Sequence, residues 1–314
     1  MGPCSEPILL VLVGPTGVGK SEVAVSLAER FRCPILNADS RQIYREIPIG
    51  TAAPTADQLA RVKHYFVSTH NLNESYNAGQ FERDALEVLE VEATGDRLQV
   101  TGDRVLAILT GGSMMYIDAV CNGLDDIPAV PGEVRREVSR QYQSKGLEWL
   151  QQEVQRLDSD YWQIVDRANP QRLMHCVEVS RTLGKPYSSC RTNSTKERPW
   201  RIVKVGLTRP RAELYERINK RVDEMIARGL EQEAREAIAR YPDLPNGLQT
   251  VGYREWVQVP GDKDRIIEMI KQNTRHYAKR QMTWWNKDKT IHWFEHDKTS
   301  VTVDALGAYI SELR

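Results

Sequence analysis

The sequence predicts an α/β protein: a P-loop NTPase-like parallel sheet flanked by helices, with an all-helical insertion domain. Three observations point there. Short apolar runs alternate with helix-spaced segments over the first and last thirds of the chain. Residues 14 to 21, "GPTGVGKS", follow one such run and open a helix, the strand–loop–helix setting of a phosphate-binding P-loop. Between about Cys121 and Arg198 there is no convincing strand. The implied division is a core over 1–120 and 199–314 and a helical insertion over 121–198.

Each element has its own warrant. Ile8 to Val13 is a continuous apolar run of strand length, and Ser21 to Phe31 carries Ala24, Leu27 and Ala28 on one helical side. "PILNADS" (34–40) is a short strand stopping at Asp39, and "HYFVST" (64–69) reads the same way. "AGQFERDALEVLEVEA" has helical spacing, and "RVLAILTGG" (104–112) is a strand ended by a glycine pair. In the insertion, "PGEVRREVSRQYQSKGLEWLQQEVQRL" and "NPQRLMHCVEVSRTLG" are helical, jointed at Pro and Gly. "RIVKVGLT" (201–208) and "TIHWFEH" (290–296) are two more strands. The long charged stretch 214–241 is helical with an interruption near Gly229, and 264–285 is a further helix.

Composition narrows the function classes. Lys plus Arg is 43 and Asp plus Glu is 43, so any nucleic-acid surface must be a local patch. The five cysteines form no C-x-x-C pair and lack nearby His spacing, which argues for free thiols in a reducing compartment rather than zinc. No apolar run reaches the roughly 18 residues of a membrane span. The expectation is a cytoplasmic protein without membrane attachment, and a monomer, since no apolar heptad stands out.

The loop says which group is held. Its glycines let backbone amides approach phosphate oxygens, Lys20 adds a point charge, and Ser21 offers a hydroxyl to magnesium (Mg2+). Asp39 closes a strand at the edge where open α/β sheets bind ligands. It reads equally as a helix cap or magnesium ligand and as a general base. Gly111 and Gly112 read as a tight turn or as backbone that lets a large ligand come close. From Arg265 to Lys289 seven Lys or Arg face two acids, with Tyr277, Trp284 and Trp285 interleaved. That suits a nucleic-acid backbone, with Lys279 and Arg280 as contacts, although the residues alone slightly favour a solvated helix face over buried tryptophans.

Several segments then match one family in order and over nearly the whole chain: "GPTGVGKS", "DSRQIYREIPIGTAAP", "YNAGQFERDAL", "LTGGSMMY", "NPQRLMHCVEVSRTLGKP", "RINKRVDEMIARGL", "TVGYRE" and "YAKRQMTWW". Together they closely resemble the bacterial tRNA dimethylallyltransferases, which prenylate an adenine 3′-adjacent to the anticodon. The resemblance implies tRNA, through its anticodon stem-loop, gripped between core and insertion. Dimethylallyl diphosphate enters from one side and the flipped adenine from the other. It implies Asp39 as the base on the exocyclic N6 amine. Gly14 and Thr16, Gly17, Val18, Gly19, Lys20 and Ser21 then cradle the diphosphate, with Arg221 near the leaving group and Arg217 a weaker candidate that could pair with neighbouring acids. Ser40, Arg41 and Gln42, the stretch from Gln171 and Arg172 to His175, and the stretch from Gln249 to Gly252, Tyr253 and Arg254 become tRNA contacts.

Two departures stand out. Ser113 occupies a position where the family usually has Thr, which keeps the hydroxyl for tRNA contact and loses a methyl. The segment 90–108 is longer and more polar than the usual link, suggesting a surface loop or hairpin. Competing readings are a P-loop small-molecule kinase binding ATP, a prenyltransferase acting on free adenine nucleotides, and a non-catalytic RNA binder with a decayed loop. The kinase leaves "NPQRL" and "TVGYRE" without a job; the second needs no helical insertion; intact Lys20, Ser21 and Asp39 oppose the third.

Overall fold

The computed structural model describes residues 6–94, 105–192 and 194–313. By its own contacts the chain divides into two compact units, Met1–Cys121 with Arg198–Arg314, and Asn122–Glu197.

The first unit is built on six strands, all parallel, in the order β3-β2-β4-β1-β5-β6. These are β1 (Ile8–Val13), β2 (Ile35–Asn37), β3 (His64–Tyr65), β4 (Val105–Thr110), β5 (Arg201–Thr208) and β6 (His292–Glu295). Every residue of β1 and β4 is buried, as central strands covered on both faces must be. Register places Leu12 beside Thr110 and Asn37 beside the same Thr110, so β1, β2 and β4 end level with one another. Whatever follows those three strands therefore meets at one edge.

Helices α1 (Lys20–Phe31), α2 (Ala56–Arg61), α3 (Ala78–Thr94) and α4 (Met114–Asn122) follow the early strands. Helices α8 (Arg211–Ala227), α9 (Leu230–Arg240), α10 (Arg254–Gln258), α11 (Lys263–Trp285) and α12 (Thr299–Glu312) follow the later ones. One face of the sheet packs Leu10, Leu12 and Val205 against Val23, Leu27 and Leu306. The other packs Leu9, Val11 and Leu109 against Phe81, Leu89 and Ile117.

The expected strand 64–69 is cut to two residues because Phe66 (φ 65°) and Ser68 (φ 51°) leave extended geometry. The expected interruption of the helical stretch 214–241 is present: α8 and α9 are parted by Gly229 at φ 100°. Of the polar segment 90–108, residues up to Thr94 continue α3 and those from Val105 form β4; its centre lies outside the described residues.

The second unit packs α5 (Gly132–Leu157), α6 (Ser159–Ile164) and α7 (Pro170–Leu183) around Val138, Leu150, Val154, Leu173 and Val177. Buried Asp158 caps α6 by accepting from Tyr161 N at 2.9 Å, and also takes the amide and hydroxyl of Ser188. Among the described residues no helix is long and apolar enough to cross a membrane.

Candidate active site

The P-loop leaves β1 at Gly14 and enters α1 through Gly19, whose φ of 113° a side chain would strain. A Cβ there would also lie 2.6 Å from Nε2 of buried His296, at the end of β6. Cationic side chains hold the loop's carbonyls. Lys20 Nζ donates to Gly14 O (2.8 Å) and Pro15 O (2.9 Å), Arg217 Nε to Gly17 O (3.0 Å), and Arg209 Nε to Val18 O (3.1 Å). Arg217 thus binds the loop itself, where pairing with neighbouring acids had been the alternative. Lys20 and Ser21 form the first turn of α1, where amides have no intrahelical acceptor and can face an anion.

Two loop residues differ from the simple picture of a diphosphate cradle. Thr16 N donates to Gln281 Oε1 at 2.8 Å, so its amide is committed to the protein and its hydroxyl is the group left for a ligand. Val18 turns its side chain fully into the core.

Asp39 follows β2. Its Oδ1 accepts from Arg41 N at 2.9 Å and Gln42 N at 3.4 Å, which fixes the carboxylate against its own turn. The other oxygen, Oδ2, packs on Gly112, where a Cβ would sit 2.6 Å from it. A Cβ at Gly111 would fall 2.2 Å from the Ala38 carbonyl. The glycine pair therefore lets the chain leaving β4 lie directly against the chain leaving β2. Ser113 N bonds Ala38 O, and its hydroxyl accepts from Ser40 N at 2.8 Å, closing the same junction.

Charge is concentrated beside it. Burial, then the neighbouring Arg221, holds the Lys20 ammonium down to about 7, while Asp39 pulls in the opposite direction. Burial also lowers Arg221, again opposed first by Asp39. The Tyr277 phenol is pushed up by burial and by the Asp39 carboxylate, and its hydroxyl donates to Gly112 O.

Two cavities meet here, both within the first unit. One, of about 410 Å³, runs from Gly17, Gly19, Lys20 and Ser21 to Arg217, Lys220 and Arg221. The other, of about 400 Å³, is lined by Ser40, Arg41, Ser113, Gly252, Arg254 and Arg280, among others. Thr16, Asp39, Thr51, Arg221 and Tyr277 belong to both walls.

Other residues singled out by the sequence lie as follows. Gln42 lines the first cavity and donates from Nε2 to Thr51 O (2.9 Å) and Ala52 O (3.0 Å), holding the loop that carries Thr51. Tyr253 corrects the reading of that stretch as direct tRNA contact. Its side chain is wholly buried and donates to Ile47 O and Glu233, because Gly50 leaves room for its hydroxyl. Glu233 also accepts from Ile49 N and Gly50 N, so it and Tyr253 brace the loop from below. Lys279 is exposed and lines neither cavity. Gln171, Arg172 and His175 are exposed on α7 in the second unit, His175 edge-on to Tyr187.

The aromatics of α11 point inward. Trp285 is buried and Trp284 Nε1 donates to Asp118 at 2.9 Å, while Lys279 and Arg280 in the same stretch are exposed. Sequence reasoning passed over Gln281, which is fully buried and bonded to both Thr16 and Gly112. Its only signal was an amide placed among residues otherwise charged or aromatic.

Comparison with known proteins bears on this geometry. The model of the IPP transferase family matches residues 42–288. The chain is 48% identical over 303 residues to tRNA dimethylallyltransferase 1 of Bacteroides thetaiotaomicron, covering 96% of this chain and 95% of that protein. It is 51% identical over 294 residues to the protein of the same name from Phocaeicola vulgatus, covering 92% and 94%. Among solved structures it resembles the full-length tRNA isopentenylpyrophosphate transferase of Bacillus halodurans (28% identity, TM-score 0.67, 98% of this chain and 96% of that one). It shares its fold with a eukaryotic dimethylallyltransferase acting on tRNA (22% identity, TM-score 0.78, 98% and 80%). The α/β core with a P-loop and the matched family agree, and the chain belongs to the IPP transferase family of tRNA dimethylallyltransferases.

Proposed function

We propose that the junction of the two cavities is where a dimethylallyl group passes from its diphosphate to the exocyclic N6 amine of an adenine 3′-adjacent to the anticodon. One observation carries the reading: Asp39 and Arg221 are shared by a cationic cavity and a second cavity beside it. The first takes the diphosphate against the α1 amides, Lys20, Arg217 and Arg221. The second takes the adenine.

The chemistry asks for two things. An adenine amine is a weak nucleophile because its lone pair is delocalised into the ring. A carboxylate that removes its proton as the C–N bond forms commonly contributes ~10²–10⁴-fold. Asp39 has one oxygen tied to backbone amides and the other turned to the junction, which suits that task. Departure of the diphosphate leaves negative charge on its oxygens, and Lys20 and Arg221 offset it in place. Lys20, held near 7 in the free site, gains its full charge when the anion arrives.

Magnesium fits the donor set. Ser21 opens on the first cavity, and no cluster of three acidic, His or Cys side chains stands among the described residues. Magnesium takes oxygen ligands, keeps several waters and leans on substrate phosphates, so the Ser21 hydroxyl would be one of few protein donors to it. The ion would neutralise part of the diphosphate charge.

The adenine must leave its stack, at a cost of a few kcal/mol. Exposed Arg172 and Gln171 on the second unit, and exposed Lys279 and Arg280 with half-buried Arg254 on the first, supply the tRNA contacts that offset it. We assign 121–198 as the tRNA-contacting insertion. We infer a cytoplasmic monomer: tRNA as substrate supports the compartment, and the sequence offers no apolar heptad for self-association.

The test is transfer of label. Unmodified tRNA with radiolabelled dimethylallyl diphosphate should yield labelled tRNA, and free AMP should stay unlabelled. Label in AMP, or ATP turnover without label in tRNA, would overturn the reading.

A further inference from the structure

We propose that Gln281 is a positioning residue: a buried strut that sets the distance between the diphosphate loop and the general base. The inference rests on the role of Asp39 argued above. Its side-chain oxygen accepts from Thr16 N at 2.8 Å and its nitrogen donates to Gly112 O at 2.9 Å. The side chain has no exposed surface. Tyr277, one turn earlier on α11, donates to the same Gly112 carbonyl, so both of that oxygen's lone pairs are engaged.

Each end of the strut bears on a different reactant. Thr16 belongs to the loop that seats the leaving group. Gly112 is the surface on which Asp39 Oδ2 rests, close enough that a methyl would collide with it. One planar amide, enclosed in the core, thereby links the leaving-group side to the proton-accepting side. A side chain serving only the helix would have no reason to spend both its donor and its acceptor on two loops that follow separate strands. Reaction rates depend steeply on such distances, and a misplacement of ~1 Å can cost roughly 10²-fold.

Gln281→Met keeps length and removes both hydrogen bonds. In single-turnover transfer with saturating dimethylallyl diphosphate and tRNA, its rate constant should fall by roughly 10²-fold. Its tRNA Kd should stay within about threefold, since a strut serves geometry rather than uniform binding. Gln281→Glu gives a second readout that a merely structural role would not move. A neutral carboxyl accepts from Thr16 and donates to Gly112 as the amide does, whereas the carboxylate cannot donate. Relative to the unaltered protein, that variant should be fastest at acid pH and lose activity as the new group ionises. A Gln281→Met rate within threefold of the unaltered protein, or a Gln281→Glu profile parallel to it, would overturn the strut. Absence of label transfer by the unaltered protein would instead overturn the proposed function.

Discussion

The buried guanidinium of Arg209 donates from Nε to the carbonyl of Val18 at 3.1 Å, gripping the phosphate loop from behind. The same side chain reaches Asp297 O at 2.9 Å and pairs with Glu213. With Lys20 on Gly14 and Arg217 on Gly17, it holds the loop's carbonyls on side-chain donors. Replacing it with Met strands two carbonyls, each worth about 1–3 kcal/mol when buried and unpaired. Arg209→Met should therefore lower the free energy of unfolding by at least about 1–3 kcal/mol, read as a lower urea midpoint, and weaken dimethylallyl diphosphate binding. An unchanged midpoint would mean the clamp is dispensable.

Lys20 makes diphosphate binding depend on protons. In the free protein its ammonium is depressed to about 7, and a bound anion raises it, so binding above that pH requires proton uptake. Affinity should weaken as pH rises from 7.5 to 9, by up to about tenfold per unit. Calorimetry in two buffers of different ionisation enthalpy reads the uptake directly, and Lys20→Met should abolish it. The unliganded fold should show the complementary trend. Between about 7 and 10.5 the unfolded chain binds the extra proton, so this lysine adds stability as pH rises. Flat affinity across that range would contradict the assignment.

Gly112 offers a steric test of the junction. A methyl there would lie 2.6 Å from Asp39 Oδ2, near Tyr277 and Gln281. Gly112→Ala should fold, because its backbone is not in the left-handed region, yet lose roughly 10² or more in transfer rate by displacing the carboxylate. Wild-type turnover in this variant would show that Asp39 need not sit where it does.

The outward cations of α11 predict salt behaviour. tRNA affinity should fall linearly on a log–log plot against salt, and Lys279→Ala or Arg280→Ala should each reduce the slope by about one if each meets a phosphate. Unaltered slopes in both would remove this helix from the interface.

Much of this was legible in the sequence, for identifiable reasons. Continuous apolar runs gave β1 and β4, an apolar stretch broken by Lys204 gave β5, and the loop motif gave the phosphate site. Asp39 stood out because it is the first charge after a short apolar run. What escaped depends on partners brought from far along the chain. Gln281 lies 265 residues from Thr16, and no local pattern marks an amide that will bond two loops. Tyr253 sits between Gly252 and Arg254, which line a cavity, yet its own ring folds inward where Gly50 makes room. The positive φ of Phe66 and Ser68, which ends β3, is invisible because neither residue favours it. Helix α12 was missed although Val303, Leu306 and Ile310 have helical spacing, a signal overlooked beside the charged helix before it.

The central claim is that Asp39 accepts the proton from the adenine amine. Its most direct test is Asp39→Asn, which keeps size and one acceptor oxygen but cannot take the proton. Single-turnover transfer from labelled dimethylallyl diphosphate should slow by ~10²–10⁴-fold while tRNA and diphosphate affinities stay within a few-fold. Transfer at an undiminished rate in that variant would contradict the account.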